Sequence, residues 1–340
     1  MNQFEAIIAR AHSDPKHIVM AEGQDPRVVK AGLRAQQDGI AHITFLGRVD
    51  AVRSAMCAAG YVGNDILVVD PETAPNAEAY AQTLVNLRKE KGIDLAAARQ
   101  EVNDPLVYAN LMVRSGDAAG SIAGAVRTTA DVVRYALQLI GPDDRYSLVS
   151  SFFIMVMEES FHDFKGCMIF ADCALVVDPD EDQLAQIASA TADSASALLN
   201  LDPKVAMLSF STRRSAEHDL VEKVDNATNR LKALRPDLPV EGGIQFDAGI
   251  VPEIGNQKAP GSSVAGRANV LVFPDLNSGN IGYKIAERIG KAKAIGPILQ
   301  GLAKPANDLS RGCSIDDIYS MIAVTGVQAQ AVKHQLHSTD

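Results

Sequence analysis

Short runs of aliphatic and β-branched residues alternate along the chain with longer stretches in which apolar side chains recur every three or four positions. His17–Met20 reads as a strand, and Arg27–Gln37 follows with Val28, Val29, Leu33 and Ala35 at helical spacing. His42–Leu46 reads as a second strand, Val49–Ala59 as a helix and Ile66–Val69 as a third strand. Ala77–Lys91 reads as one long helix closed by Gly92. Pro105–Ser115 reads as another and leads into a small-residue strand, Gly120–Ala125. Gly141–Asp144 is a turn-forming break and a candidate domain boundary. Beyond it, Cys167–Ala171, Ala174–Val177, Val205–Phe210 and Val270–Phe273 read as strands, with helices at Glu181–Leu199 and His218–Leu234. Alternation of this kind predicts an α/β fold of parallel sheets covered on both faces. No internal repeat or low-complexity segment interrupts it.

Composition narrows the architecture. A chain of 340 residues accommodates two domains more readily than one. Tryptophan is absent and aromatics make up 5%, so the cores must be built from Ala, Val, Ile and Leu, which suits helices on parallel strands. The formal charge of −10 argues against a nucleic-acid binder, and any anionic ligand then needs a locally positive site. Cys57, Cys167, Cys173 and Cys313 form no CxxC pair and no His stands at zinc-finger spacing, which points to a reduced intracellular chain without a structural metal. No secretion signal opens the sequence and no apolar run reaches the roughly 18 residues of a membrane span, so a cytoplasmic protein is expected.

Three segments carry candidate chemistry. In Gly296–Asp317, Ser310 and Arg311 set a hydroxyl beside a guanidinium, and Ser314 reads as a helix N-cap with Asp317 at the third helical position. Spacing alone favours Asp317 as a cap, and the chemical alternative is a general base near a phosphate-binding turn. Asp275–Lys284 follows a strand as a glycine-bearing loop that would offer backbone N–H groups to an anion, although it lacks the Walker ending. In Ser121–Arg134 a small-residue strand runs into Thr128 and Thr129 with Arg127 and Arg134 nearby. These residues either line a ligand site beyond a strand end or serve as a helix cap and a surface cation.

Together these segments resemble the phosphate acetyltransferase and phosphate butyryltransferase family. NDLSRGCS (Asn307–Ser314), SGNIGYK (Ser278–Lys284), TTAD through Arg134, FADCA (Phe170–Ala174), MLSFST (Met207–Thr212) and QFDA (Gln245–Ala248) match in order and spacing. The resemblance implies two three-layer α/β/α domains shaped like isocitrate and isopropylmalate dehydrogenases, the second inserted in the first. The first would span 1–146 and 299–340 and the second, a dimerising one, 147–298, with the active site in the cleft between them. It implies a homodimer that transfers an acetyl group between coenzyme A and inorganic phosphate in a ternary complex, with coenzyme A and acetyl phosphate as substrates, no tightly bound cofactor, no metal and no covalent acyl-enzyme. By resemblance Asp317 takes the thiol proton, Arg311 stabilises the developing charge and Ser310 orients the reacting groups. Arg134 would hold phosphate or the acetyl oxygen and Arg88 a phosphate of coenzyme A, while Thr128, Thr129, Asn280, Tyr283 and Lys284 line the anion site.

His218, Asp172 and Asp247 read as helix-start or turn residues, and Cys173 and Cys313 as buried hydrophobes. Arg214 and Gly243 depart from the family pattern, which has glycine and an acidic residue there, and Arg127 replaces a frequent histidine. Two other functions stay open within the resemblance. One is a phosphate butyryltransferase. The other is a non-catalytic acetyl-CoA-sensing domain like that fused to malic enzymes, disfavoured by the intact serine–arginine pair and the lack of a malic-enzyme portion. A dehydrogenase is not expected, because neither a dinucleotide glycine fingerprint nor a metal-ligand aspartate cluster occurs.

Overall fold

The computed structural model describes residues 3–159 and 164–337 and divides into two units. One unit runs Glu5–Asp143 and resumes at Leu302; the other comprises Asp144–Gly301 with Gln3 and Phe4. The second is therefore an insertion in the first. Its far boundary lies after Gly301 because the last inserted strand pairs with residues 150–156 up to its end at Gln300.

The first pass through the first unit is α1 (Gln3–Ser13), β1 (Lys16–Met20), α2 (Pro26–Gln37), β2 (Ala41–Leu46), α3 (Val49–Ala58), β3 (Leu67–Val69), α4 (Ala77–Leu87), α5 (Leu95–Val102), α6 (Pro105–Ser115), β4 (Gly120–Ala123) and α7 (Thr129–Leu139). The insertion adds β5 (Ser150–Met157), β6 (Gly166–Ala171), α8 (Glu181–Leu199), β7 (Val205–Leu208), α9 (Asp219–Leu234), β8 (Val240–Ile244), α10 (Phe246–Ile250), α11 (Pro252–Lys258), β9 (Val270–Val272), α12 (Leu276–Arg288) and β10 (Lys293–Gln300). The chain then completes the first unit with β11 (Ala306–Asp308) and α13 (Ile315–His337).

In the first unit the order is β11-β4-β1-β2-β3, every pair parallel. Val19, Ala21, Leu46, Ala123 and Ala306 pack under α4 to α7 on one face. Helices α2 and α13 pack together against the other. The inserted sheet has the order β10-β5-β6-β9-β7-β8, with β6, β9, β7 and β8 parallel and β5 antiparallel to both its neighbours. Helix α8 covers one face, and α10 and α12 the other. Both units are three-layer α/β/α, with sheets covered on both faces as the alternation predicted, but the antiparallel β5 makes the inserted sheet mixed rather than wholly parallel.

Local chemistry sets the element starts. Asp25 caps α2 and Asp104 caps α6, each followed by a proline at the first helical turn, where a missing N–H costs nothing. Two expected elements are corrected. The helix expected over Ala77–Lys91 ends at Leu87, because Arg88 leaves helical geometry and a single 3-10 turn, Lys89–Lys91, follows. Ala174–Val177 is not a strand: the backbone N–H groups of Ala174, Leu175 and Val176 all donate to the Asp172 carboxylate, which leaves none for a ladder.

Candidate functional site

All five strands of the first sheet point the same way, so their carboxyl ends share one edge. The chain builds β1, β2 and β3 outward, then places β4 on the opposite side of β1. This reversal is a topological switch point, where open α/β sheets form their ligand crevice. The segments after β1, β4 and β11 meet there. Glu22, after β1, accepts hydrogen bonds from the N–H groups of Ala125 (2.7 Å), Val126 (3.0 Å) and Arg127 (2.8 Å). Successive amides of this kind make an anion nest, and in this chain its anion is a carboxylate of the protein itself.

Arg27, at the start of α2, reaches the same place. It grips the Asp25 carboxylate through Nε (3.1 Å) and Nη2 (2.8 Å), the Ala125 carbonyl through Nη2 (3.0 Å), and the Arg311 and Cys313 carbonyls through Nη1 (2.8 and 3.1 Å). Thr129 donates to Asp308 Oδ2 at 2.6 Å, tying α7 to the end of β11. Thr128 is the N-cap of α7: its hydroxyl accepts from Asp131 N–H and donates to the Asp131 carboxylate. Beside these segments a cavity of about 460 Å³ opens at the ends of β1 and β2, lined by Glu22, Gln24, Asp25, Asp104 and Arg127 among others. Its charges are mutually engaged, with Asp104 paired to Arg127 at 2.7 Å.

The turn after β11 carries Ser310 and Arg311, both exposed. Ser310 Oγ accepts from Gly312 N–H at 3.3 Å. Among the described residues nothing pairs with the Arg311 guanidinium. Asp317 completes the capping box read from the sequence: its Oδ2 accepts from the N–H and hydroxyl of Ser314, each at 2.8 Å, and Ser314 Oγ accepts from Asp317 N–H at 3.2 Å. Its Oδ1 takes no hydrogen bond among the described residues. Arg134, half exposed, is paired with Asp131 at 2.7 Å and lies over the Tyr135 ring. Arg88 is not part of this gathering. It terminates α4 and is held by both oxygens of Glu101, at 2.7 and 3.0 Å.

In the inserted unit the motif segments also follow the carboxyl ends of the parallel strands. Asp172 is an anchor rather than a cation ligand: besides the three amides after it, it accepts from the N–H and hydroxyl of Ser151. The expected glycine-bearing loop is instead the first turns of α12. Asp275 caps that helix by accepting from Ser278 N–H, so its N-terminus is already engaged. Gly279 permits the close approach, since a Cβ there would overlap the Asp172 carbonyl. Asn280 donates to the Cys173 carbonyl at 2.9 Å and accepts from Lys284 Nζ at 2.7 Å, while Tyr283 stacks on Phe153 at 4.1 Å. MLSFST and QFDA meet through Thr212 and Gln245, and Lys258 bridges Gln245 and Asp247. His218 caps α9 by accepting from Leu220 N–H. The thiols match the reading as inert hydrophobes: burial pushes Cys313 up to about 11 and Cys173 well above its ordinary value. Among the described residues no group of three His, Cys, Asp or Glu side chains is placed to hold a metal.

The family model for phosphate acetyl/butaryl transferase matches residues 3–326. The chain belongs to this family. It is similar to the phosphate acetyltransferase of Acetivibrio thermocellus, 47% identical over 333 residues that cover 98% of this chain and 100% of that one. It is also similar to that of Thermoanaerobacterium thermosaccharolyticum, at 46% identity over 97% of this chain and 100% of the relative. The crystal structure of a phosphotransacetylase from Streptococcus pyogenes superposes with a TM-score of 0.91 at 42% identity, covering 96% of this chain and 98% of that chain.

Of the family-matched residues, Ser310, Arg311, Asp317, Thr128, Thr129, Arg134 and Arg88 belong to the first unit, and Asn280, Tyr283 and Lys284 to the inserted one. The structure adds Glu22, Arg27 and Asp308, which the sequence reading did not single out. Their part consists of hydrogen bonds across about a hundred residues or more, and no local pattern announces those.

Proposed function

We propose that this protein is a phosphate acetyltransferase, exchanging an acetyl group between the sulfur of coenzyme A and an oxygen of inorganic phosphate. The observation that carries the reading is the turn after β11, where, among the described residues, Arg311 is exposed without a partner and Asp317, in the first turn of α13, keeps one carboxylate oxygen without a hydrogen bond. A thiol is mostly protonated at neutral pH and needs a base. Asp317 Oδ1 takes the coenzyme A proton, the thiolate attacks the acetyl carbon of acetyl phosphate, and the bond from that carbon to the phosphate oxygen breaks. Arg311 stabilises the charge that develops on the carbonyl oxygen and the departing phosphate. Ser310 orients the reacting groups.

Arg134 turns its exposed guanidinium from Asp131 toward phosphate, and Arg88 exchanges Glu101 for a phosphate of coenzyme A. The hydroxyls of Thr128 and Thr129 add donors for the phosphate, and in the inserted unit Asn280, Tyr283 and Lys284 offer polar groups to an anion. No tightly bound cofactor takes part. The four free cysteines support a reducing, cytoplasmic location, and among the described residues no helix is long and apolar enough to cross a membrane. An exposed row of Ile281 and Ile285 on α12 with Ile289 at its C-cap supports a homodimer.

Mixing acetyl phosphate with coenzyme A and following thioester absorbance tests the reaction, and propionyl and butyryl phosphates run alongside fix the acyl preference. Asp317→Asn should lower kcat by about 10²–10⁴-fold and Arg311→Gln by about 10²–10³-fold, with coenzyme A still bound. Binding of acetyl-CoA without turnover by the wild-type chain would replace this reading with a sensor.

A further inference from the structure

We propose that Arg27 is a positioning residue for this reaction: its guanidinium holds the backbone of the Ser310–Arg311 turn so that the Arg311 side chain meets the reacting acyl phosphate. The inference rests on the acetyltransferase reading and adds a residue that makes no contact of its own with the reacting atoms.

A guanidinium has five N–H donors in a rigid plane, and Arg27 directs all five at named acceptors. Two go to Asp25, one to the Ala125 carbonyl after β4, and two to the Arg311 and Cys313 carbonyls after β11. Asp25 is itself immobilised, because it caps α2 by accepting from Arg27 N–H at 2.8 Å. The fork is therefore oriented by the start of a helix and spans the switch point to two other segments. Within the turn the hydrogen bonds are local, from Gly312 N–H to Ser310 Oγ and from Cys313 N–H to the Ser310 carbonyl. Among the described residues, the hydrogen bonds that reach residues 310–313 from another element are those of Arg27. Among the described residues no side chain pairs with Arg311 to fix it, so its aim depends on the backbone it grows from, and a misplacement of about 1 Å can cost about 10²-fold in rate. Lysine cannot substitute: its ammonium is a point donor with three N–H groups and cannot span Asp25, Ala125 and the two turn carbonyls together.

The test compares Arg27→Lys, Asp25→Asn and wild type, with Arg53→Lys as control. Arg53 also bridges backbone carbonyls in the first unit, those of Gly63 and Ile66, but away from this turn. Asp25→Asn keeps an oxygen for the helix cap and turns one acceptor of the fork into a donor, so it disturbs the guanidinium without removing it and keeps the proposal testable if Arg27→Lys does not fold. Arg27→Lys should lower kcat about 30–100-fold and Asp25→Asn several-fold, with KM for acetyl phosphate and coenzyme A changed less than threefold. Millimolar guanidinium ion should restore part of the activity of Arg27→Ala, and Arg53→Lys should keep wild-type kcat. A role confined to stability would lower the melting temperature and leave kcat per folded molecule intact, and that result overturns the proposal. So does a folded Asp25→Asn variant with unchanged kcat. An inactive wild-type chain overturns the function and the positioning role together, whereas an active wild type with an unimpaired Arg27→Lys overturns the positioning role alone.

Discussion

Asp308 ends β11 with its side chain wholly buried, one oxygen taking the Thr129 hydroxyl and the other without a hydrogen-bond partner among the described residues. Burial, opposed by the Thr129 hydrogen bond and reinforced by the charge of Glu22, pushes this carboxyl from 3.8 up to about 7. The sign of the consequence follows from proton counting. Between these two values the native chain keeps a proton that the unfolded chain has released, so this residue lowers stability as pH rises through that window and adds no further slope above it. Asp308→Asn preserves an acceptor for Thr129 and cannot ionise. Relative to wild type it should therefore gain on the order of 2–3 kcal/mol between pH 5 and pH 8. Melting curves of both proteins at the two pH values check this, and parallel pH profiles would show that Asp308 does not hold its proton. The proposed chemistry uses the residues on either side of this group, Thr129 and Ser310, and the buried carboxyl ties the segments that carry them.

At the scale of elements, the two inserted-unit departures from the family pattern turn out to be a single change around α9. Arg214, in the turn after β7, has a left-handed backbone with φ of 60°, where the family usually has glycine. It compensates by pairing with Asp225 on α9 at 2.8 Å. The other Asp225 oxygen occupies the space beside Gly243, where a Cβ would lie at 2.5 Å. An acidic residue at 243 would collide with Asp225 and repel it, and glycine removes both conflicts while tolerating its φ of 55°. Gly243→Ala should cost about 1–3 kcal/mol, and less in an Asp225→Ala background, where only the backbone strain remains. Urea unfolding of the double-mutant cycle measures the difference, and equal costs in both backgrounds would separate the two positions. How legible an element was depended on where its hydrogen bonds go. Strands β1, β2 and β7 and helices α2, α6 and α8 carry their own periodicity and caps, and the sequence reading placed them within a residue or two. Strands β5 and β10 went unread because their partnership joins residues about 150 apart and includes a register shift between Ile295 and Ile298. Ala174–Val177 has strand composition, yet one buried side chain takes its amides, and propensity cannot foresee such a competitor. The site divides the same way. Ser310, Arg311 and the Ser314–Asp317 cap stand in one short segment that can be read directly, whereas Arg27 becomes visible only once β1, β4 and β11 are neighbours.

For the molecule as a whole, the proposed homodimer would have to overcome its own charge. Each chain carries a formal −10, so two copies repel at low ionic strength. Association would therefore have to come from apolar surface, and α12 with its C-cap offers Ile281, Ile285 and Ile289, four residues apart and each more than half exposed. Burying three such side chains on each protomer contributes favourably at about 25 cal/mol per Å². Salt screens the opposing repulsion, so the dimer should strengthen rather than weaken as ionic strength rises, the reverse of an interface held by ion pairs. Light scattering should give about twice 36.2 kDa for wild type, with the dimer persisting to lower protein concentration in 0.5 M than in 0.05 M salt. Ile285→Glu adds two negative charges across the twofold axis and removes central apolar area, so it should yield a folded monomer of unchanged circular dichroism. A wild-type mass of one chain, or an Ile285→Glu variant that still pairs, would place the contact elsewhere or remove it, while a dimer that dissociates in salt would assign the association to charged residues instead of the α12 row.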